Sequence, residues 1–350
     1  MVAPPPRWVR RIVIDPLWVL GIGLALISLP IVAVGVAFVS RYVPGKWRLL
    51  RIVWFLFLYL IVDVVAVVAL FALWIVSGFG WKIPSPWFQK AHYAIFGWVL
   101  RRVVASAKFT FKIRTIPAGD LPRTFGEERT RPVLVLCRHA GPGDSFLLMD
   151  ALYNRFGRQP RIVLKEFLQW DPAVDIMLNR LPSAFVPGGP KAGESVIEAI
   201  DAMSKTMAVD DAFVIFPEGG NYTIKRHLRA IEKLHEIGRP DLAERAEALQ
   251  NTLPPKPKGV MTSLAAAPGK TDVFFVGHAG LETFEGFGDI WRGMPMDTQV
   301  FTKAWYVPAE NIPPPEGQEE WLYDIWAEID SWISEHLSES ADAFDEADEY

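Results

Sequence analysis

The chain holds one cysteine, Cys137, in 350 residues. A single thiol excludes an internal disulfide framework and any multi-cysteine metal site. Charge is missing over two long stretches. Pro16 to Ser40 carries none, and from Ile52 to Trp81 the one charged residue is Asp63. Each stretch can cross a hydrocarbon core of about 30 Å as a helix of roughly 20 residues. A cleaved leader has an apolar core of only about 7–15 residues, so it does not account for two such runs. Gly-x-Ser-x-Gly is also absent, which removes the nucleophile elbow of the α/β-hydrolases.

The charge that is present is segregated. Residues 1–115 carry 14 of the 36 Lys/Arg but 2 of the 40 Asp/Glu. A basic first third flanking apolar runs suits anionic lipid headgroups. It does not point to nucleic acid, because the cations bracket the runs instead of lining one soluble face.

These features predict a four-part chain. Residues 1–80 read as a transmembrane or re-entrant helical hairpin, with Pro44-Gly45 as its turn signal, Pro30 as a kink and Asp63 facing protein or water. Lys and Arg outside both spans favour termini in the cytoplasm, so the reading is a cell-membrane protein with its main domain facing the cytoplasm. Residues 81–108 read as an interfacial helix capped at Ser85-Pro86 and rich in rings (Trp81, Trp87, Phe88, Tyr93, Trp98). Residues 109–338 alternate strand-like and helical patterns. The strands are expected at 109–115, 132–137, 161–165, 183–187, 212–216 and 272–276. The helices are expected at 144–156, about 167–180, about 191–208, 226–250 and 317–338. Such alternation predicts an α/β fold, a mostly parallel sheet flanked by helices. Residues 339–350 read as an acidic, disordered tail.

Ligands of open parallel sheets bind beyond the carboxyl ends of the strands. Chemistry-bearing residues gather there. Arg138, His139 and Asp144 follow one strand, Lys165 and Glu166 a second, and Gly188, Gly189 and Lys191 a third. Pro217, Glu218, Gly219 and Gly220 follow a fourth, and His278 a fifth. His139 would serve as general base on a bound hydroxyl, with Asp144 holding its tautomer. Gly141, Gly143, Gly219 and Gly220 would let backbone amides approach an oxyanion or phosphate. Arg138, Lys165, Lys191 and Arg226 are candidate phosphate binders. Each also has a bland alternative. A turn histidine is commonly structural, and Asp144-Ser145 suits a helix cap. Zinc on His139, Asp144 and His278 fits by ligand type, but the spacing is not diagnostic.

Two motifs carry a resemblance. His139-Ala-Gly-Pro-Gly-Asp144 matches His-x4-Asp, and Phe216-Pro217-Glu218-Gly219 matches Phe-Pro-Glu-Gly. With Lys258-Gly259 before Val273-Phe-Phe-Val276, the stretch from about 130 to 280 resembles the glycerophospholipid acyltransferase family, the 1-acylglycerol-3-phosphate and lysophospholipid acyltransferases. The resemblance implies a membrane enzyme moving a fatty acyl group from acyl-CoA or acyl carrier protein to a lysophospholipid hydroxyl. It passes hydroxyl activation to His139 and Asp144, and acceptor binding to Glu218, with no cofactor or metal beyond the acyl donor. The chain departs from the pattern where an arginine is usual after Phe185-Val186, since Pro187-Gly188 stand there, and where Gly220-Asn221-Tyr222 replace Thr-Arg-Ser. A catalytically silent scaffold and a lipid hydrolase are the other readings.

Overall fold

The computed structural model describes residues 3–43, 47–119, 125, 129–141, 143–188, 192–282, 288, 291, 294 and 297–345. The Pro44-Gly45 turn and Lys191 lie outside them, as do residues 346–350 of the expected tail. The chain divides into two compact units. One comprises Met1–Ile113, Met149–Ala199 and Trp291–Asp297; the other comprises Arg114–Leu148, Ile200–Ile290 and Thr298–Tyr350.

The first unit opens with two long helices, α1 (Arg7–Ser40) and α2 (Arg48–Val76), both long and apolar enough to cross a membrane. α1 carries Pro30 inside it and a π-helical turn over Arg10–Ile14. Its apolar side chains point away from protein: Leu24, Ile27 and Ile31 are each at least 70% exposed. The two helices are tied together at Asp63, which is 3% exposed. Its Oδ2 accepts a hydrogen bond from Trp18 Nε1 at 2.5 Å, and its Oδ1 accepts one from Ala173 N at 3.3 Å. The one acid of the second apolar run thus faces protein, as its cost in lipid demands.

Helix α3 (Pro86–Phe111) starts with Pro at its first turn and buries Phe88, Tyr93, Phe96, Leu100, Val103 and Val104 on one face; Trp81 and Trp87 remain exposed. The expected strand over 109–115 is corrected here in its first part, since a strand begins only at Arg114. Phe109–Phe111 continue the helix, Phe111 packs on Phe55 at 5.0 Å, and Lys112 ends it with φ 56°. Burying Phe111 against α2 overrides its strand-favouring composition. The unit also holds β3 (Gln159–Lys165), α5 (Pro172–Leu178) and β4 (Ser183–Val186), with β3 and β4 parallel. Pro172 at its start limits α5, where a longer helix over 167–180 is expected from the sequence. Arg10 clamps Asp175 of α5 with Nε–Oδ2 at 2.9 Å and Nη2–Oδ1 at 3.1 Å.

The second unit contains five strands in the order β1 (Arg114–Pro117), β7 (Gln299–Val307), β6 (Asp272–Ala279), β2 (Val133–Cys137) and β5 (Asp211–Ile215). All its pairings are parallel except β6 with β7. Strands β2 and β5 are buried at every position, which is why they read as continuous apolar runs. β7 has no counterpart among the expected strands. The helix expected over 226–250 is two helices, α7 (Ile224–Glu236) and α8 (Pro240–Glu247), separated where Gly238 takes φ 73° and Pro240 begins the next. The last helix, α10, runs from Gln318 to Asp345, past the expected end near 338. It packs on β6 through Trp321 and Phe275, 5.3 Å apart. Trp326 Nε1 donates to Leu253 O at 3.1 Å. The architecture is α/β, mostly parallel strands with flanking helices.

Gly280 closes the end of β6 with φ 106°, and a Cβ there would stand 2.2 Å from the Gln299 carbonyl oxygen of β7. Gly280→Ala is expected to cost more than about 2 kcal/mol, through left-handed strain and displacement of that strand. A thermal melt against wild type measures it.

Candidate active site

The site grows from strand register in the second unit. In the β2–β5 pairing, Leu136 is level with Ile215, and in the β2–β6 pairing Cys137 is level with Val276. Continued past the end of β2, the register sets His139 level with both Glu218 and His278. Sequence positions 79 and 139 residues away from His139 are thereby brought to one point.

The turn after β2 is organised by one carboxylate. Asp144 is 3% exposed. Its Oδ2 accepts from His139 Nδ1 at 2.8 Å, Ala140 N at 2.9 Å and Gly141 N at 3.2 Å. Its Oδ1 accepts from Ser145 N and Ser145 Oγ. Burial works to raise its pKa. The hydrogen bond from His139, the His278 and His139 rings, and the Gly141 amide outweigh burial and hold it below the usual carboxylate range. An ionised Asp144 fixes the proton on Nδ1 of His139 and leaves Nε2 as the basic nitrogen. The His139 side chain is 25% exposed, and its ring packs tilted against Phe216, centroids 4.7 Å apart. A quarter-exposed imidazole with a buried anion behind it can take a proton from a hydroxyl presented from outside.

Glu218 holds the same turn from the other side. It is 2% exposed, and both oxygens accept backbone amides: Oε1 from His139 N at 3.1 Å and Oε2 from Leu253 N at 3.1 Å. Burial raises its pKa to about 7, against the opposing pull of Arg138 and the two amides. The resemblance implies acceptor binding for Glu218, but its oxygens are enclosed and occupied by main chain. Arg138, expected as a phosphate binder, is fully buried. Its Nη1 donates to His278 O at 2.7 Å and to Glu282 in a short ion pair, and its Nη2 to Asn251 O at 2.8 Å, so the protein itself engages both terminal nitrogens, while the buried Nε has no partner among the described residues. His278 is buried, and burial plus the Arg138 charge push its pKa down, leaving a neutral ring with Nε2 3.8 Å from Asp144 Oδ2.

The glycines differ among themselves. Gly141 spends its amide on Asp144, while Gly143 is exposed with open space where a Cβ would be. Gly219 takes φ 70°, and a Cβ on it would meet Lys256 Nζ at 2.5 Å; one on Gly220 would lie 3.2 Å from Arg226 Nη1. Lys256 is thus a member of the site that sequence reasoning missed. It sits in Pro-Pro-Lys-Pro-Lys, where nothing distinguishes it from a solvated loop lysine. Burial lowers its pKa, followed by the neighbouring Lys233 and Arg226 charges. Asn251, Leu253 and Glu282 carry no sequence signal either, because the first two contribute backbone atoms and Glu282 acts through an ion pair with Arg138, far along the sequence, and through the Gly280 amide at 2.6 Å. Lys165 and Glu166 stand at the end of β3 in the first unit, with Lys165 exposed. Among the described residues no group of three His, Cys, Asp or Glu is arranged to hold a metal.

Glu218 gives a pH signature. Its folded pKa is raised, so between about pH 4.5 and pH 7 the folded chain keeps a proton that the unfolded chain has lost. Stability therefore falls as pH rises through that window. Melts of wild type and Glu218→Gln at pH 5 to pH 8 are expected to show wild type losing up to about 3 kcal/mol relative to the variant across the series. A pH-independent difference would show that Glu218 titrates normally.

A search of the curated proteins finds no match to this chain. The sequence model of the family Acyltransferase matches residues 115–290, a span that includes His139, Asp144, Glu218, Lys256 and His278. With half of its length inside that match, the chain belongs to the acyltransferase family of 1-acylglycerol-3-phosphate and lysophospholipid acyltransferases.

Proposed function

We propose that the protein is a membrane-bound O-acyltransferase that moves a fatty acyl group from acyl-CoA or acyl carrier protein to a free hydroxyl of a lysophospholipid such as 1-acylglycerol-3-phosphate. The observation that carries this reading is the 2.8 Å bond from His139 Nδ1 to the buried Asp144 carboxylate. His139 Nε2 removes the proton from the acceptor hydroxyl as its oxygen attacks the thioester carbonyl. The tetrahedral intermediate collapses with loss of the thiolate, which takes the proton back from Nε2. The products are a new oxygen ester and a free thiol. No protein nucleophile is required, in keeping with the missing Gly-x-Ser-x-Gly.

The supporting parts follow from position. Asp144 stabilises the imidazolium that forms and keeps the productive tautomer, as the acid of a triad does. Glu218 acts as a positioning residue through the His139 and Leu253 amides. Lys256, Arg226 and Lys233, mutually close enough to depress the Lys256 pKa, are the cations offered to the acceptor phosphate. The apolar helices α1 and α2 hold the enzyme at the cell membrane, where its acceptor resides, with the catalytic unit on the cytoplasmic side. Their outward Leu and Ile side chains support lipid contact.

Purified full-length protein incubated with labelled acyl-CoA, or labelled acyl carrier protein, and a panel of lysophospholipids is expected to move label into diacyl lipid. Release of free fatty acid would identify a hydrolase, and no turnover a silent scaffold. His139→Ala is expected to remove turnover. Asp144→Asn is expected to lower kcat by about 10²–10⁴ with little change in acceptor KM, because it alters tautomer and charge rather than binding. Lys256→Gln is expected to raise KM for phosphate-bearing acceptors by about tenfold, at about 1.4 kcal/mol for one lost charge-assisted contact.

A further inference from the structure

The first unit forms an open cavity of about 1460 Å³ whose walls divide by chemistry. Leu20 of α1 and Val67, Phe71 and Trp74 of α2 supply apolar sides, while Arg7, Arg11 and Arg180 also line it. The Arg7 and Arg11 charges both reach Arg180. Burial foremost, then the Arg11 and Arg7 charges, depress the Arg180 pKa to about 10.

The carboxylates nearby are already matched. Arg10 clamps Asp175 through two bonds, and Arg11 reaches Asp175 at 2.7 Å and Asp15 at 3.2 Å. Two acids thus meet two arginines. Arg180 has neutral partners, the Leu70 carbonyl at 2.8 Å and His92 Nε2 at 3.3 Å. Arg7 is exposed and makes no ion pair among the described residues. Asp15 also lines the cavity but is matched to Arg11, so two positive charges, Arg7 and Arg180, stand beside the apolar walls without a paired carboxylate. Clustered guanidinium groups in a partly buried place are unfavourable unless something negative joins them. An ion alone would leave the apolar walls wet. An amphiphile would satisfy both, since the planar forks of arginine suit a phosphate and the walls suit alkyl chains. The cavity also exceeds the roughly 300–1,000 Å³ of ordinary small-molecule pockets.

We propose that this cavity binds one anionic glycerophospholipid, its phosphate held by Arg7, Arg11 and Arg180 and its acyl chain laid along Leu20, Val67, Phe71 and Trp74. The site is independent of acyl transfer and does not rest on that reading.

Trp74 supplies the probe. Full-length protein in phosphatidylcholine nanodiscs is doped with phosphatidylglycerol brominated on its acyl chains, and the Trp74 signal is taken as the difference between wild type and Trp74→Phe. Brominated phosphatidylglycerol is expected to quench that signal at a mole fraction where brominated phosphatidylcholine does not. Arg7→Gln, which removes an exposed side chain with no ion-pair partner and leaves the fold intact, is expected to raise the half-quenching mole fraction about fivefold. Arg180→Gln is expected to do the same or more, with a melt to check folding. Excess inorganic phosphate is expected to leave the quenching unchanged. Equal quenching by both lipids, displacement by inorganic phosphate, or indifference to Arg7→Gln would each overturn the proposal.

Discussion

A buried carboxylate is stable only when donors surround it, and Asp144 collects His139 Nδ1, two backbone amides and both donors of Ser145. That requirement shapes residues 139–145 into a turn closed on the aspartate. It also decides the chemistry, because the same contact that compensates the charge fixes which imidazole nitrogen is basic. In the proposed acyl transfer, structural need and catalytic need would coincide in one side chain, so capping and hydroxyl activation are not alternatives for Asp144.

The turn is gripped from a second direction by Glu218, whose two oxygens join the His139 amide to the Leu253 amide. Beneath them Arg138 binds Asn251 O, His278 O and Glu282. Asp330 of α10 in turn accepts from Gln250 N, Asn251 N and Thr252 Oγ1, anchoring the 250–253 segment. His139 thus rests on buried polar groups bonded largely to main chain, while Arg138 Nε and both ring nitrogens of His278 have no hydrogen-bond partner among the described residues. Such networks hold a catalytic ring rigidly, because losing one partner strands another in a dry interior.

The apolar helices in the first unit follow a parallel logic. Asp63, isolated in a long apolar run, is bonded by Trp18 and Ala173, and Asp175 is bonded by Arg10 and Arg11. Polar groups at such depth survive only in pairs. The arginines left over after those pairings are what distinguish the Leu20–Trp74 cavity from a simple apolar gap.

Local pattern was sufficient for much of this. Continuous apolar runs announced β2 and β5, strand–helix alternation announced the α/β class, and two long apolar stretches, one interrupted only by Asp63, announced α1 and α2. His139 and Asp144 were legible because both ends of their interaction lie in one turn. Wherever a distant partner decides, the sequence was silent or misleading. Phe109–Phe111 are helical because Phe111 packs on Phe55. Strand β7 pairs antiparallel with the edge of β6 that faces away from β2, a partner more than 20 residues distant in sequence. The split of α7 from α8 was in plain view at Gly238 and Pro240, overlooked beneath a charged helical pattern. Arg138, Glu218 and Lys256 mark the boundary most sharply. Residue type offered the first two as substrate contacts and gave no sign of the third. Only the fold buries the first two against main chain and brings Lys256 Nζ beside Gly219. Periodicity and short motifs are written in neighbouring residues, whereas burial and long-range pairing are properties of the packed chain.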